Sequence, residues 1–85
     1  MTGRAKSLEL RDGPSGPRYY LTGKPVPGAS VVEMCFSGGW VTGRFEWSGE
    51  PGERPRFFCS IELDGSGTAE HSVEIPERAL LRWAE

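Results

Sequence analysis

One histidine and two cysteines are the residues of this sequence with the greatest potential for chemistry. A thiol at Cys35 or Cys59, with His71 as its general base, would form a nucleophilic pair. Strand alternation, developed below, puts Cys35 and His71 on opposite faces of a sheet, and no third residue is placed to orient the imidazole. We therefore interpret His71 as a rim or partly buried residue of the fold, and we expect no catalytic residues and no enzyme activity.

Metal and cofactor motifs give no stronger signal. Structural zinc needs four ligands, usually from closely spaced cysteine pairs, and one histidine with two distant cysteines does not supply them. The GPSG and DGSG segments at 13–16 and 64–67 are predicted turns, because neither opens a helix nor precedes the Lys-Ser/Thr of a phosphate-binding loop. We expect no metal ion and no cofactor.

Aromatic side chains offer recognition chemistry instead. The stretch CFSGGWVTGRFEW, residues 35–47, holds four aromatics around Gly38-Gly39. Trp40 is predicted to point outward at the start of a strand, where it either folds over the open end of a small barrel or contacts a partner. Tryptophan is enriched among interface hot spots. Phe58 is predicted to point outward on a neighbouring strand, so these two residues form the centre of the predicted binding surface.

The elements that position these residues are predicted to be short β-strands. Turn sequences rich in Gly, Pro, Asp and Ser recur about every eight to twelve residues, with Val, Ile, Phe, Tyr and Trp between them, which is typical of an all-β sandwich or barrel. Residues 76–80 are predicted to form one helical turn. We expect an all-β fold, a single small barrel of five to seven short antiparallel strands. The predicted strands are Ser7–Arg11, Arg18–Thr22, Val31–Phe36, Trp40–Trp47, Phe57–Leu63, Ala69–Ile75 and Leu81–Trp83.

Side-chain alternation assigns two faces to the central hairpin. The apolar or small side consists of Val32, Met34, Phe36, Val41, Gly43, Phe45 and Trp47. A two-residue turn at Gly38-Gly39 would set the cross-strand pairs. These pairs are Phe36–Val41, Met34–Gly43 and Val32–Phe45. On the other side the same register places Glu33 opposite Arg44, a favourable charge pair.

The next two strands extend the same division into two faces. Leu63 is expected opposite both Ala69 and Val41. Cys35 falls outward and Cys59 inward, which disfavours an intramolecular disulfide. The predicted inward side chains are Phe57, Cys59, Ile61, Leu63, Ala69, His71, Val73 and Ile75. The outward side is predicted to be acidic, with Arg44 set against Glu33, Glu46, Glu62, Glu70 and Glu74.

Length and composition bound the organisation of the chain. Its 85 residues, 36% of them hydrophobic, suffice for one small core, and we expect a flexible arm at 1–6 and a single domain at 7–85. The first residues lack the apolar segment of a signal peptide, and no apolar run is long enough to span a membrane. We therefore expect no membrane contact, a cytoplasmic location and reduced cysteines. The absence of Asn and Gln, with more Arg than Lys, indicates a GC-rich bacterial or phage genome.

The chain carries, in order, a Gly-containing loop, VVEMCF, GGWVTGRFEW, FFCSIELDGSG and HSVEIPERALLRW. This order resembles the SH3-like small barrels over roughly residues 18–83, and it is similar in particular to uncharacterised bacterial domains with a Gly-x-x-Val-Glu…Gly-x-Trp-x-x-x-Arg-x-Glu core. The residues that carry the resemblance are Gly28, Val31 or Val32, Glu33, Gly39, Trp40, Arg44 and Glu46. Gly38-Gly39-Trp40 and Gly43-Arg44 are also similar to Tudor-type domains. The acidic loop of proline-peptide binders and a converging aromatic cage are not matched.

Two functions remain in competition. The first is a non-catalytic protein-interaction module, of the kind that phages or mobile elements use as small regulators or inhibitors, with an acidic, aromatic-bearing sheet face against a partner protein with a basic surface. The residues predicted to bind this partner are Trp40, Phe58, Glu46, Glu62, Glu74 and Tyr20.

The alternative is a nucleic-acid-binding small barrel. In residues 1–24 five basic residues stand against two acidic ones, and exposed aromatics of small barrels can stack on bases. The predicted contacts of this alternative are Arg4, Lys6, Arg54 and Arg56. An exposed edge strand could also pair with a second copy, so a homo-oligomer is possible.

Overall fold

Eight antiparallel β-strands make up the computed structural model, which describes residues 4–65 and 67–84 except for the side chains of Glu62 and Leu63. The strands are β1 (Glu9–Gly13), β2 (Gly16–Leu21), β3 (Lys24–Pro25), β4 (Ser30–Phe36), β5 (Gly39–Glu46), β6 (Arg56–Leu63), β7 (Gly67–Glu74) and β8 (Leu81–Trp83). The prediction of an all-β fold is confirmed. Among the residues described, no helix is long and apolar enough to cross a membrane.

Two sheets enclose the core. The small sheet has the order β1-β2-β3 and the large sheet the order β7-β6-β5-β4-β8. Tyr19 of the small sheet packs edge-on against Phe45 and Trp47 of the large one, with ring centroids 6.3 and 4.7 Å apart. We call the side of the large sheet that meets the small sheet the inner face, and the opposite side the outer face. The buried apolar residues are Tyr19, Leu21, Val26, Val32, Met34, Phe45, Phe57, Ile75 and Leu81.

The two ends of the chain meet at β8. The Lys6 N–H donates to the Leu81 carbonyl at 2.9 Å, and the Leu81 N–H donates back at 2.8 Å. Lys6 belongs to the predicted flexible arm, whose residues 1–3 lie outside the described part of the chain. Residues 76–80, predicted as a helical turn, contain one turn closed by the Ala79 N–H on the Pro76 carbonyl at 3.1 Å and no assigned helix.

The register of the central hairpin differs from the prediction. The turn lies at Ser37-Gly38, where φ is 46° and 83°, and a type I′ turn needs positive φ at both central residues. Because the turn starts one residue earlier than predicted, every cross-strand pair shifts by two. Glu33 therefore lies opposite Thr42 instead of Arg44. The observed apolar pairs are Met34–Val41 and Val32–Gly43, with Ser30 opposite Phe45 and Phe36 opposite Gly39.

The β6–β7 hairpin also takes a shifted register. Strand β7 begins at Gly67 (φ 88°), so Leu63 lies opposite Gly67, and Ala69 lies opposite Ile61. The predicted pairing of Leu63 with Ala69 is therefore wrong. All these shifts are even, so every side chain keeps the face that alternation assigned to it.

The β4–β5 and β6–β7 hairpins separate from Gly43 toward the start of β5. Strands β5 and β6 pair only at three positions, Arg44–Phe58, Phe45–Phe57 and Glu46–Arg56, so the predicted Leu63–Val41 pair does not form. Three inner-face residues that were predicted to be core are exposed. They are Phe36 (39%), Ile61 (43%) and Val73 (39%). Ile61 lies beyond the three paired positions, and Val73 lies on the edge strand β7. Phe36 ends β4 and is partly exposed although its ring centre lies 6.1 Å from that of Phe57.

Candidate interaction face

The outer face of the large sheet brings together most of the residues predicted to bind a partner. Its described side chains come from all five strands of the large sheet, and nothing from the small sheet covers them, because that sheet packs on the inner face. They are Val31, Glu33, Cys35, Trp40, Thr42, Arg44, Glu46, Arg56, Phe58, Ser60, Thr68, Glu70, Ser72, Glu74 and Arg82.

Trp40 lies on this face beneath an arginine. The guanidinium carbon of Arg82 is 4.0 Å from the centre of the Trp40 ring system. Arg82 Nε donates to Glu33 Oε1 at 2.6 Å, and Thr42 Oγ1 donates to Glu33 Oε2 at 3.2 Å. The Arg82 and Glu33 side chains are only 17% and 23% exposed. Trp40 is therefore half-buried by a cation–π contact on the outer face and does not close the end of the core.

Phe58 has the same kind of cover from a second arginine. The guanidinium carbon of Arg44 is 4.8 Å from the Phe58 ring centre. Arg44 Nε donates to Glu46 Oε2 at 2.9 Å, and Nη1 lies 3.5 Å from Glu70 Oε2. Arg44 thus bridges β5, β6 and β7. Beside it, Phe58, Glu46 and Arg56 contribute to the wall of a shallow hollow of about 210 Å³.

The outer face is less acidic than predicted. Arg82 of β8 and Arg56, at the first position of β6, join Arg44, so three arginines stand against four described glutamates. The predicted Glu33–Arg44 pair is replaced by Glu33–Arg82. The outward orientation of Arg82 could have been predicted, because it lies between the inward Leu81 and Trp83. The pairing of β8 with β4 could not, because no local sequence pattern specifies the order of strands in a sheet.

Two of the predicted partner-binding residues are not part of this described surface. Tyr20 follows the buried Tyr19 on β2, so its side chain points away from the core on the far side of the small sheet. There the Arg11 guanidinium carbon lies 4.8 Å from its ring centre. The Glu62 side chain lies outside the described residues. The structure therefore brings together Trp40, Phe58 and the described glutamates, without Tyr20.

The four residues predicted to contact nucleic acid do not form one surface. Arg54 is engaged in hydrogen bonds within the fold. Its Nε and Nη2 donate to the Ile75 carbonyl at 3.0 and 2.8 Å, and its Nη1 donates to the Tyr19 hydroxyl at 3.0 Å. Arg56 lies on the outer face, where its Nη2 donates to a serine hydroxyl at 2.9 Å. Arg4 and Lys6 lie near β8, at the other edge of the large sheet.

The two cysteines and the histidine do not form one site. Cys59 and His71 lie on the inner face of the large sheet, and Cys35 lies on the outer face. Cys59 is directly opposite His71 on the inner side of the β6–β7 hairpin, yet no hydrogen bond joins the thiol to the imidazole. Cys35 lies opposite Trp40 on the outer face. Cys35 and Cys59 lie on opposite faces of the sheet, and neither is in a disulfide.

Comparisons of this chain with protein-family models, with curated proteins and with solved structures found no significant match.

Proposed function

We propose that this chain is a non-catalytic protein-interaction module that binds a partner protein through the outer face. The observation that carries the proposal is the pair of arginine-covered aromatics on one open sheet surface, Trp40 under Arg82 and Phe58 under Arg44. Tryptophan and arginine are, with tyrosine, the residue types enriched among interface hot spots. Ion pairs already order both guanidinium groups, so binding would lose little side-chain entropy at these positions.

The partner that suits this face presents basic side chains toward β5–β7. Glu46 and Glu70 share Arg44, and Arg56 lies opposite Glu74 without an ion pair among the described residues. With three glutamates against two arginines, this half of the face keeps a net negative charge. Basic groups on the partner would complement this charge, speed association and set the orientation of the complex. Apolar or aromatic partner side chains would cover Trp40 and Phe58.

Site-specific photo-crosslinking tests which face binds. Thr42 is exposed between Trp40 and Arg44, so a photoreactive residue there would crosslink the partner in a lysate of the source cells. The matched control carries the same group at Arg18, which is exposed on the small sheet. We expect a specific adduct from position 42 alone; an adduct from position 18 alone would contradict the proposal.

A second candidate, nucleic-acid binding, is favoured by one observation on the opposite side of the molecule. Arg4, Lys6 and Arg11 line a groove of about 300 Å³, with Glu9 as its only acidic wall residue among those described. Tyr20 lies beside Arg11 and could stack on a base. Single-stranded oligonucleotide binding that weakens steeply with salt and is lost in a Lys6→Glu variant would support this candidate, and no binding at low salt would remove it.

A further inference from the structure

Strand β7 is an open edge of the large sheet. It is the terminal strand of the order β7-β6-β5-β4-β8 and runs for eight residues. It contacts no strand other than β6, and none of its backbone groups is bonded outside that pairing within the described chain. The strand contains neither proline nor lysine, two residues with which proteins commonly protect such edges. Its outward N–H and C=O groups are therefore available to another strand.

The remaining edges are less suited to pairing. Strand β8 has three residues, and Lys6 already occupies its free side with two backbone hydrogen bonds. Strand β3 has two residues and ends in Pro25. Strand β1 has five residues, and Pro14 follows it directly. Among the described strands, β7 offers the longest unprotected edge.

Side chains on β7 select both the occupant and its register. The inner side carries Ala69, His71 and the exposed Val73, and the outer side carries two glutamates, Glu70 and Glu74. When two copies of β7 pair antiparallel about a two-fold axis, residues on the same face must lie opposite each other. The axis must therefore pass beside a single residue of each copy, and four such registers, with the axis at residue 69, 70, 71 or 72, retain five or more paired residues per copy.

Two of these registers avoid direct contact between glutamates, those with the axis at Ala69 and at His71. With the axis at Ala69 only residues 67–71 of each copy pair, and the exposed Val73 stays outside the pairing. With the axis at Glu70, the two copies of Glu70 face each other. With the axis at Ser72, Glu70 of each copy faces Glu74 of the other. With the axis at His71, Glu70 faces the second copy's Ser72, and Val73 faces its Ala69. Like charges directly opposite each other destabilise a strand pair, whereas apolar pairs stabilise it.

We propose that two copies of this chain associate through β7, antiparallel, with the two His71 residues at the two-fold axis. The two large sheets then form one ten-stranded sheet. Residues 68–74 of each copy are paired, and Val73, 39% exposed in one copy, gains an apolar neighbour. The two outer faces become continuous, so the dimer would present two copies of the Trp40–Arg82 and Phe58–Arg44 clusters side by side.

Opposite charges at Ser72 test the register with the purified chain alone. The proposed dimer contains two Ser72–Glu70 pairs between the copies, one on each side of the two-fold axis. We expect Ser72→Lys to tighten the dimer dissociation constant by about two- to thirtyfold and Ser72→Glu to weaken it by the same factor, since each cross-strand charge pair contributes about 0.2–1 kcal/mol. Sedimentation equilibrium of wild type and both variants gives the constants. The test needs no partner protein, so its outcome does not depend on the proposed function.

Two results would overturn the inference by itself. One is a chain that stays monomeric into the millimolar range, both as wild type and as Ser72→Lys. The other is weakening by both substitutions, which indicates Ser72 facing Ser72. Ser15→Lys and Ser15→Glu are the matched controls, because Ser15 is exposed in the turn between β1 and β2 of the small sheet, away from β7. Equal shifts from the Ser15 variants would show a net-charge effect instead. Ser72 is exposed, and its hydroxyl accepts from Arg56 Nη2 at 2.9 Å, so circular dichroism and urea unfolding are used to check that its variants keep the fold.

Discussion

Replacing Gly43 with alanine should destabilise the fold, because this glycine lets β5 approach β6 closely. A Cβ at position 43 would lie 2.5 Å from both the Phe58 carbonyl oxygen and Phe57 Cζ. Neither atom can move away cheaply: one belongs to the backbone of β6, and the Phe57 ring is fully buried. Overpacking of this kind costs about 1–3 kcal/mol, and a backbone contact places Gly43→Ala at the upper end of that range.

The net effect is smaller, because alanine also restricts the unfolded chain, which is worth about 0.4–1 kcal/mol. We expect Gly43→Ala to lower the free energy of unfolding by about 2 kcal/mol, or the midpoint temperature by about 8–16 °C for a domain of this size. Urea unfolding followed by tryptophan fluorescence measures the change.

Gly39→Ala in the same strand is the control for this experiment. Its nearest foreign atom, the Phe36 carbonyl oxygen, would lie 3.6 Å from the new Cβ, an ordinary contact. We expect Gly39→Ala to leave the free energy of unfolding unchanged or to raise it slightly. Equal stability of the two variants would refute the close approach of β5 to β6 at Gly43.

Two further predictions concern arginines. Arg54→Lys removes the guanidinium that bonds a core tyrosine and a backbone carbonyl and should cost about 1–3 kcal/mol, whereas the same change at the exposed Arg78 should cost less than about 0.5 kcal/mol; equal costs in urea unfolding would contradict the structural role of Arg54. Double-mutant cycles compare two ion pairs. The side chains of Arg82–Glu33 are shielded, at 17% and 23% exposed, and those of Arg11–Glu9 are open to solvent, at 50% and 58% exposed. The shielded pair should couple by about 1 kcal/mol and the exposed one by less than about 0.5 kcal/mol, and equal couplings would show that shielding does not matter here.

The faces of the strands could be predicted from sequence because side chains alternate with a period of two. Val32, Met34, Phe45 and Phe57 were assigned to the core side, and all four are buried. Their assignment survives the wrong turn at Gly38-Gly39, since moving the turn by one residue shifts each pair by two and leaves every side chain on its face.

The register itself could not be predicted, because a serine took the positive φ that glycine usually supplies. Because glycine adopts positive φ more readily than serine, the sequence favoured a turn at Gly38-Gly39 over the observed turn at Ser37-Gly38. The exposure of Ile61 and Val73 was missed for a different reason. Alternation shows which side a residue faces, whereas burial depends on which strands lie alongside it. Ile61 lies where β5 and β6 no longer pair, and Val73 lies on the edge strand β7, and both are long-range properties of the sheet.

The candidate site was predicted in part for the same physical reason. Trp40 and Phe58 were placed outward by alternation, and the structure puts both on the outer face. The arginine above Trp40 comes from β8, which is far away in sequence and lies next to β4 only in the folded sheet. Because Arg82 was not assigned to this face, the surface was predicted to be more acidic than it is.

Partner affinity measured for three matched variants tests the central claim, that the outer face is the binding face. Trp40→Ala and Phe58→Ala each remove an arginine-covered aromatic from that face, and Tyr20→Ala removes one from the opposite side of the molecule. With the protein captured through position 42, calorimetry should show about a thirtyfold weaker dissociation constant for Trp40→Ala, typical of a hot spot, and a clear loss for Phe58→Ala. Tyr20→Ala should bind like wild type. Full affinity in Trp40→Ala and Phe58→Ala, with loss in Tyr20→Ala, would contradict the account.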